Sequence, residues 1–161
     1  MYVHVPFCAH RCAYCAFATW TDRDHLADAY LEAVADELAR AAAAPGGLPP
    51  ATSVFFGGGT PSRVDPDALM AVLAVIERAP DAEVTVECNP DSVSVASLAR
   101  YRRSGVNRVS FGVQSMVPAV LAGLGRTHDP ASVSAAADAA RQVGIDNLNL
   151  DLIYGGASET L

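Results

Sequence analysis

Short apolar runs alternate regularly with longer segments of helical periodicity, and this order constrains the fold more than any other feature. The runs are typical of β-strands, and they begin near Tyr2, Thr52, Glu83, Asn107 and Asn147. Helical patterns fill the segments between them and cover about residues 24–44, 66–76, 95–103, 118–124 and 130–143. A repeated strand-helix order predicts a parallel sheet with right-handed crossovers.

Alternation within the strands predicts that each has one polar face. Val84 and Val86 share one face of their strand, whereas Thr85 and Glu87 share the other. The polar faces of the next two strands carry Ser110, Gly112, Gln114, Asn147, Asn149 and Asp151. A sheet covered by helices on both sides would need nearly all-apolar central strands. The pattern instead favours a barrel whose inner face lines a polar cavity, with chemistry at the carboxyl ends of the strands.

The length of the chain limits how much of such a barrel it can form. An eight-stranded barrel needs about 250 residues, and this chain has 161. The predicted fold class is therefore α/β, an incomplete TIM-type (βα) partial barrel truncated after about the fifth strand. We expect one domain over residues 1–161, with the helix of the fifth unit beginning within residues 158–161.

Charge and hydropathy exclude several function classes. Acidic side chains outnumber basic ones by 18 to 11, and the net charge of −7 would repel a nucleic-acid backbone. No apolar run approaches the roughly 20 residues that span a bilayer, and no signal-peptide pattern precedes the first strand. We therefore expect a cytoplasmic protein with no nucleic-acid partner and no stable membrane insertion.

Three of the four cysteines lie together directly after the first strand. Cys8, Cys12 and Cys15 have the spacing C-x-x-x-C-x-x-C, and Cys88 stands alone. Cubane iron-sulfur clusters are normally held by four thiolates, so three would leave one iron open to a substrate or cofactor. The alternatives are a zinc site with His10 or Cys88 as the fourth ligand, and a structural loop of reduced thiols.

The cysteine spacing, with aromatic side chains at Tyr14 and Phe17, resembles the radical S-adenosylmethionine (SAM) superfamily. A glycine-rich segment follows the second strand and reads Phe56-Gly57-Gly58-Gly59-Thr60-Pro61-Ser62. It looks like the family segment that approaches the methionyl part of SAM, where glycine keeps a Cβ out of the ligand's way. A triple-glycine turn alone is weak evidence, but its position after the second strand strengthens the resemblance.

Further motifs occur in order over essentially the whole chain: Tyr2-Val3-His4-Val5-Pro6-Phe7-Cys8, Gly58-Gly59-Thr60-Pro61, Glu87-Cys88-Asn89-Pro90, the segment 105–115 and Asn149-Leu150-Asp151-Leu152-Ile153-Tyr154-Gly155. Together they resemble the oxygen-independent coproporphyrinogen III oxidase family, including its HemW-type haem chaperone branch. The resemblance implies that Cys8, Cys12 and Cys15 hold a [4Fe-4S] cluster. Contacts with SAM are implied for Tyr2, Gly58, Gly59, Thr60 and Glu87. Tyr14 would pack beside the cluster, and Gln114, Arg126 and Asp151 would line the cofactor and substrate cavity.

The residues themselves leave alternatives open at several of these positions. Glu87 is costly to bury as a charge, so it would meet either ribose hydroxyls or an internal arginine. Gln114 and Asp151 fit a structural hydrogen-bond network as well as ligand contact. Arg126 fits a carboxylate partner, from SAM or a porphyrin propionate, or a plain surface position.

The remaining histidines and the fourth cysteine have simpler interpretations. We interpret His4 as a core histidine whose hydrogen bonds are satisfied, although it could instead orient the cysteine loop. His10, His25 and His128 are predicted to lie in loops or on the surface. Cys88 is predicted to pack as a small buried apolar side chain.

The resemblance implies one-electron reduction of SAM to methionine and a 5'-deoxyadenosyl radical, with an electron donor such as flavodoxin and with haem or a porphyrinogen as partner. The decarboxylating oxidases of the family typically carry a further cysteine two positions after the third, where this chain has Phe17. That absence favours the HemW-type branch, whose haem-associated motif lies in a C-terminal region that this chain lacks. Haem binding would therefore belong to the full-length protein. The alternatives are oxidative decarboxylation of coproporphyrinogen III propionates and a zinc-binding structural module.

Overall fold

A single parallel sheet organises the computed structural model, which describes residues 1–156 and 159. Its five strands lie in sequence order, and every neighbouring pair is parallel. They are β1 (Tyr2–Val5), β2 (Ala51–Gly58), β3 (Arg78–Cys88), β4 (Arg108–Gln114) and β5 (Asn147–Leu152). The predicted α/β class and the parallel strand order are confirmed.

The helices begin and end close to the predicted positions, and three of them begin after a capping side chain, Asp65, Ser94 or Asp129. They are α1 (Ala27–Ala43), α2 (Pro66–Ala74), α3 (Val95–Arg103), α4 (Pro118–Gly123) and α5 (Pro130–Gln142), with short 3₁₀ turns at Asp24–Leu26, Pro61–Arg63 and Pro90–Ser92. Ser94 and Ser97 form a reciprocal capping box at the start of α3. Among the described residues, no helix is long and apolar enough to cross a membrane.

The core lies between one face of the sheet and the helices. Val84, Val86 and Val109 are at most 1% exposed and pack with apolar side chains of the helices. The opposite face carries the polar side chains Thr85 and Ser110, which are also buried. The strands therefore have the predicted apolar and polar faces, and the polar face lies on the side away from the helical layer.

One prediction of local structure is wrong. β3 begins at Arg78 rather than near Glu83, because Ala51 pairs with Arg78 before a register shift in β2. His128 lies in a loop, as predicted, but it is not at the surface: it is 6% exposed, and its Nε2 donates to the carbonyl oxygen of Val113 at 2.9 Å. Burial lowers the pKa of this imidazole. The expected helix at 158–161 falls largely outside the described residues.

Candidate functional site

A cavity of about 350 Å³ lies at the carboxyl ends of the strands and gathers side chains from all parts of the sheet. Its lining includes these predicted site residues: Cys8, Cys12, Tyr14, Cys15, Gly58, Gly59, Thr60, Glu87, Gln114, Arg126 and Asp151. Tyr2 is the one predicted residue outside this lining, and it lies beside Gly57 with 56% of its surface exposed. The fold thus brings together residues that are up to 143 positions apart in sequence, since Cys8 and Asp151 line the same cavity.

The three clustered cysteines lie on one loop, residues 7–20, which we call the cysteine loop. Its ends are joined by a bridge between Phe7 and Trp20, and the amide of Cys8 donates to the Trp20 carbonyl at 3.1 Å. Within the loop, the amide of Cys15 donates to the carbonyl of Cys12 at 3.1 Å, which makes a tight turn. The loop is therefore held at both ends and folded so that its thiols face the cavity.

The thiols differ in their immediate surroundings. Cys8 is half-buried and accepts a long contact of 3.8 Å from the Thr60 hydroxyl. Burial raises the pKa of the Cys8 thiol, and the Thr60 contact partly offsets that rise. Cys12 lies 3.7 Å from Nη1 of Arg126. Within the part of the chain that the structure describes, no three His, Cys, Asp or Glu side chains converge on a single point suited to a metal ion.

The glycine-rich segment packs directly on the cysteine loop. A Cβ at Gly59 would lie 2.7 Å from the Phe7 carbonyl oxygen and 2.9 Å from the Cys8 sulfur. Gly58 has φ of +113°, and a Cβ there would lie 2.5 Å from the His4 ring. Glycine at both positions is therefore required by the close approach of the protein's own chain, independently of any ligand.

Glu87 stands at the end of β3, on the polar face. Its Oε2 accepts a hydrogen bond of 3.1 Å from the Gly58 amide. Burial raises the pKa of this carboxyl, the nearby charge of Asp151 raises it further, and the Gly58 bond lowers it. The alternative partner, an internal arginine, is not paired with Glu87 among the described residues. The carboxylate is therefore held in place and still has acceptor capacity toward the cavity.

Asp151 takes part in a hydrogen-bond network across two strands. Ser110 donates to its Oδ2 at 3.0 Å, and Asn149 donates to its Oδ1 at 2.7 Å. The amide of Asn149 also donates to the Ser110 hydroxyl at 2.9 Å. The sequence allowed either a structural hydrogen-bond network or ligand contact at Asp151. The network is present, and it orients the Asp151 carboxylate on the cavity wall.

Gln114 ends β4 in a backbone conformation that is unusual for a residue with a side chain. Its φ is +65°, the one non-glycine residue in the left-handed region among those described. A register shift between Gly112 and Gln114 accompanies this conformation, and the Ile153 amide donates to the Gln114 carbonyl at 2.9 Å. The irregular strand end places Gln114 in the cavity lining.

Arg126 is inside the site and not on the open surface. Its Nη2 donates to Asn89 Oδ1 at 2.7 Å and to the Gly112 carbonyl at 2.8 Å. Its Nε is buried and has no hydrogen-bond partner among the described residues. An unsatisfied donor on a cationic side chain beside the Cys12 thiol fits an anionic group in the cavity. Sequence reasoning did not single out Asn89, although its position two residues after Glu87 at a strand end is a usable signal.

Two tyrosines flank the site. Tyr14 lies beside Cys12 with 41% of its surface exposed, and the burial of its remaining surface raises the pKa of its phenol to about 12. The Tyr2 hydroxyl is 2.9 Å from Nδ1 of His4, and Nε2 of His4 is 2.9 Å from the Ala18 carbonyl oxygen. Because that carbonyl can only accept, Nε2 carries the proton and Nδ1 accepts from Tyr2. His4 therefore ties β1 to the cysteine loop and orients Tyr2.

Comparison with known proteins gives consistent matches over nearly the whole chain. A family model described as the radical SAM superfamily matches residues 2–161. The heme chaperone HemW of Mycobacterium tuberculosis (strain CDC 1551 / Oshkosh) is 42% identical over 99% of this chain. An oxygen-independent coproporphyrinogen III oxidase of Bradyrhizobium diazoefficiens is 37% identical over 100% of this chain. The chain covers only 43% and 37% of the length of these two relatives.

A solved structure shows the same arrangement of elements. The Escherichia coli coproporphyrinogen III oxidase HemN, described as a radical SAM enzyme, superposes with a TM-score of 0.87. It is 32% identical in sequence, and the match covers 99% of this chain and 38% of that one. The fold described above therefore corresponds to part of a longer known structure.

Proposed function

Since the chain belongs to the radical SAM superfamily, whose members hold a [4Fe-4S] cluster and SAM, we propose that Cys8, Cys12 and Cys15 are its cluster ligands and that it forms part of a HemW-type haem chaperone. The observation that carries this proposal is the meeting of the cysteine loop, the glycine-rich segment and Glu87 around one cavity. Residues 1–161 would then form part of one radical SAM core domain.

The arrangement of the thiols supports a cluster over a single zinc ion. A zinc ion binds sulfur at about 2.3 Å, so its ligands must converge on one point. In a cubane each thiolate binds a different iron, so three thiols spread around a cavity are suitable. All three thiols line one cavity of about 350 Å³, and the family match of the chain favours the second case. The buried, unpartnered Nε of Arg126 adds a cationic donor for the negative charge of such a cluster.

The remaining lining residues supply the groups that SAM requires. In this proposal Gly58, Gly59 and Thr60 present the backbone beside which the methionyl part lies. Glu87, fixed by the Gly58 amide, accepts from ribose hydroxyls. Tyr14, Gln114, Arg126 and Asp151 complete the lining, and Tyr2 is proposed to contact SAM from beside it. The cluster, when bound, would supply the electron for SAM cleavage, and the cavity walls would exclude water from that chemistry.

Haem handling is preferred to decarboxylation for two reasons. Relatives named heme chaperone HemW include proteins 42% and 36% identical to this chain. Phe17 also occupies the position where the decarboxylating oxidases typically have a further cysteine, and it is 59% exposed. The oxidase function remains the second candidate, because the named oxidase and the HemN structure match nearly the whole chain.

We also propose a cytoplasmic location and an electron donor such as flavodoxin. The described residues contain four free cysteines and no disulfide, which fits a reducing compartment. The donor would be needed only for turnover of SAM, whereas haem or a porphyrinogen would be the partner of the full-length protein.

Cluster reconstitution tests the first part of the proposal. Anaerobic loading should give about four iron and four sulfide per chain, and replacing any one of Cys8, Cys12 or Cys15 by Ala should abolish it. Cys88→Ala is the matched control, because this thiol is 3% exposed and burial raises its pKa to about 12. Stoichiometric zinc without cluster absorbance, or loss of the cluster in the Cys88 variant, would contradict the ligand assignment.

Product analysis separates chaperone from oxidase. Under reducing, anaerobic conditions with SAM, neither this chain nor a full-length form carrying Phe17 should convert coproporphyrinogen III to vinyl products. The full-length form should bind haem in a spectroscopic titration. Vinyl product above a control without protein, detected by mass spectrometry, would establish the oxidase function instead.

A further inference from the structure

Asn89 makes the shortest hydrogen bond of Arg126, and the proposed function gives it no role. Its Oδ1 accepts from Nη2 of Arg126 at 2.7 Å, and the same nitrogen donates to the Gly112 carbonyl at 2.8 Å. These two acceptors come from different elements, the loop after β3 and the strand β4. Both are uncharged, so the guanidinium is oriented without being neutralised.

The backbone of Asn89 is itself fixed on both sides. Its amide donates to the Ser62 hydroxyl at 3.2 Å. Its carbonyl accepts from the amide and the hydroxyl of Ser92 at 3.0 and 2.9 Å. These bonds hold the backbone of Asn89 in place, so its side-chain oxygen accepts from Arg126 from a fixed point of the chain.

The orientation of Arg126 has a consequence on its other side. Nη1 lies 3.7 Å from the sulfur of Cys12, which is a proposed cluster ligand. The turn that carries Arg126 also contacts the cysteine loop directly, because the Ala13 amide donates to the Leu124 carbonyl at 3.1 Å. The distance between the guanidinium and the Cys12 sulfur is thus set by several contacts, of which Asn89 provides the shortest.

We propose that Asn89 is a positioning residue that holds the Arg126 guanidinium against Cys12 and keeps a full positive charge beside that cluster ligand. This inference rests on the proposed function, since it assumes that Cys12 is a ligand. A positive charge beside a ligand sulfur stabilises the reduced, more negative cluster and so raises its reduction potential. Asn89 would therefore influence the potential without touching the cluster.

A purely structural role for Asn89 makes a different prediction. If Asn89 only stabilised the loop after β3, its loss would lower the amount of loaded protein or its melting temperature. The potential of the clusters that do form would then stay unchanged. The midpoint potential thus separates positioning from stability.

The test measures the midpoint potential of the reconstituted chain by a redox titration followed by electron paramagnetic resonance. Asn89→Leu, of similar size but without an acceptor, should lower the potential, and Arg126→Met should lower it by at least as much. The double variant should match Arg126→Met alone, because Asn89 acts through Arg126. An unchanged potential in Asn89→Leu, or additive shifts in the double variant, would overturn the proposal.

Asn107→Leu is the matched control. Asn107 bonds the backbone of Ala82 and Val84 at the far end of the sheet, at 2.9 and 2.8 Å. Its replacement should lower stability and leave the potential unchanged. A shift as large as that of Asn89→Leu would mean that any loss of an internal asparagine perturbs the cluster, and this would also overturn the proposal.

A second measurement keeps the inference testable if no cluster forms, an outcome that would refute the proposed function by itself. In the cluster-free chain, nitrogen-15 NMR of arginine side chains reports rotation about the Cζ–Nε bond of Arg126. Rotation should be slow in the unsubstituted chain and faster in Asn89→Leu, with no change in Asn107→Leu. Equal rotation rates in the unsubstituted chain and Asn89→Leu would show that Asn89 does not hold the guanidinium.

Discussion

The buried carboxyl of Glu87 suits the candidate site but lowers the stability of the folded chain at neutral pH. Burial raises the pKa of its carboxyl above the ordinary value of 4.5. A raised pKa means that the folded state prefers the protonated form. Stability from this group is therefore fully present below the unfolded pKa and is lost as the pH rises through the folded pKa.

Glu87→Gln should accordingly stabilise the cluster-free chain at pH 7. The amide has no charge to desolvate, and its oxygen can still accept from the Gly58 amide. The gain in stability should shrink as the pH falls through the folded pKa of Glu87 and should vanish below about pH 4, where the carboxyl is protonated in the folded and the unfolded state. Urea unfolding of both forms across this pH range measures the difference.

Glu83→Gln provides the control for this experiment, since Glu83 lies on the same strand and is exposed. It should show no gain in stability at pH 7. A gain for Glu87→Gln that persists unchanged at acid pH would contradict the electrostatic explanation and point to improved packing instead.

At the scale of secondary structure, the starts of α2, α3 and α5 depend on capping side chains. Asp65 precedes α2, and its Oδ1 accepts from the amides of Asp67 and Ala68 at 2.9 and 3.0 Å. Asp65→Ala should therefore lower the free energy of unfolding by about 1 kcal/mol. Chemical denaturation of the cluster-free chain measures this loss.

Asp67→Ala is the matched control for the cap. Asp67 is an exposed aspartate in the first turn of the same helix, and its carboxylate makes only a 3.5 Å ion pair with exposed Arg100. Its replacement should cost clearly less than that of Asp65. Equal losses in the two variants would indicate that helix charge, and not the cap, sets the stability of α2.

The caps also explain which elements could be predicted from sequence. The bounds of α3 are reproduced because Ser94 and Gly105 mark its two ends locally. The start of β3 was missed, because residues 78–81 show no apolar alternation and pair with β2 only through tertiary context. Burial of His128 was missed for the same reason, since its partner Val113 lies 15 residues earlier on another element.

The residues of the candidate site could be predicted where residue type and spacing indicate the chemistry. They could not be predicted where contacts between residues distant in sequence define the site. The clustered cysteines and the glycine-rich segment were visible as spacings along the chain. The pairing of Arg126 with Asn89 and Cys12 was not, because these residues are 37 and 114 positions apart in sequence. The conformation of Gln114 was equally hidden, since nothing in its neighbourhood marks a positive φ.

At the scale of the whole molecule, the outer edge of the sheet is the feature most open to association. β5 pairs with β4 on one side, and no described strand lies on its other side. Leu150 and Leu152 on this strand are 48% and 65% exposed. An unpaired edge with exposed apolar side chains offers both backbone hydrogen bonds and apolar area to a second chain.

The 161-residue chain should therefore self-associate through β5 at concentrations on the order of 100 μM. Leu152→Lys should reduce association, because a charged side chain at a sheet edge disfavours pairing with another edge. Sedimentation velocity over a range of concentrations measures the effect.

Val75→Lys is the control, since Val75 is 40% exposed at the end of α2, away from this edge. A monomer at all concentrations, with a cooperative melt well above about 60 °C, would show that this edge is stable alone.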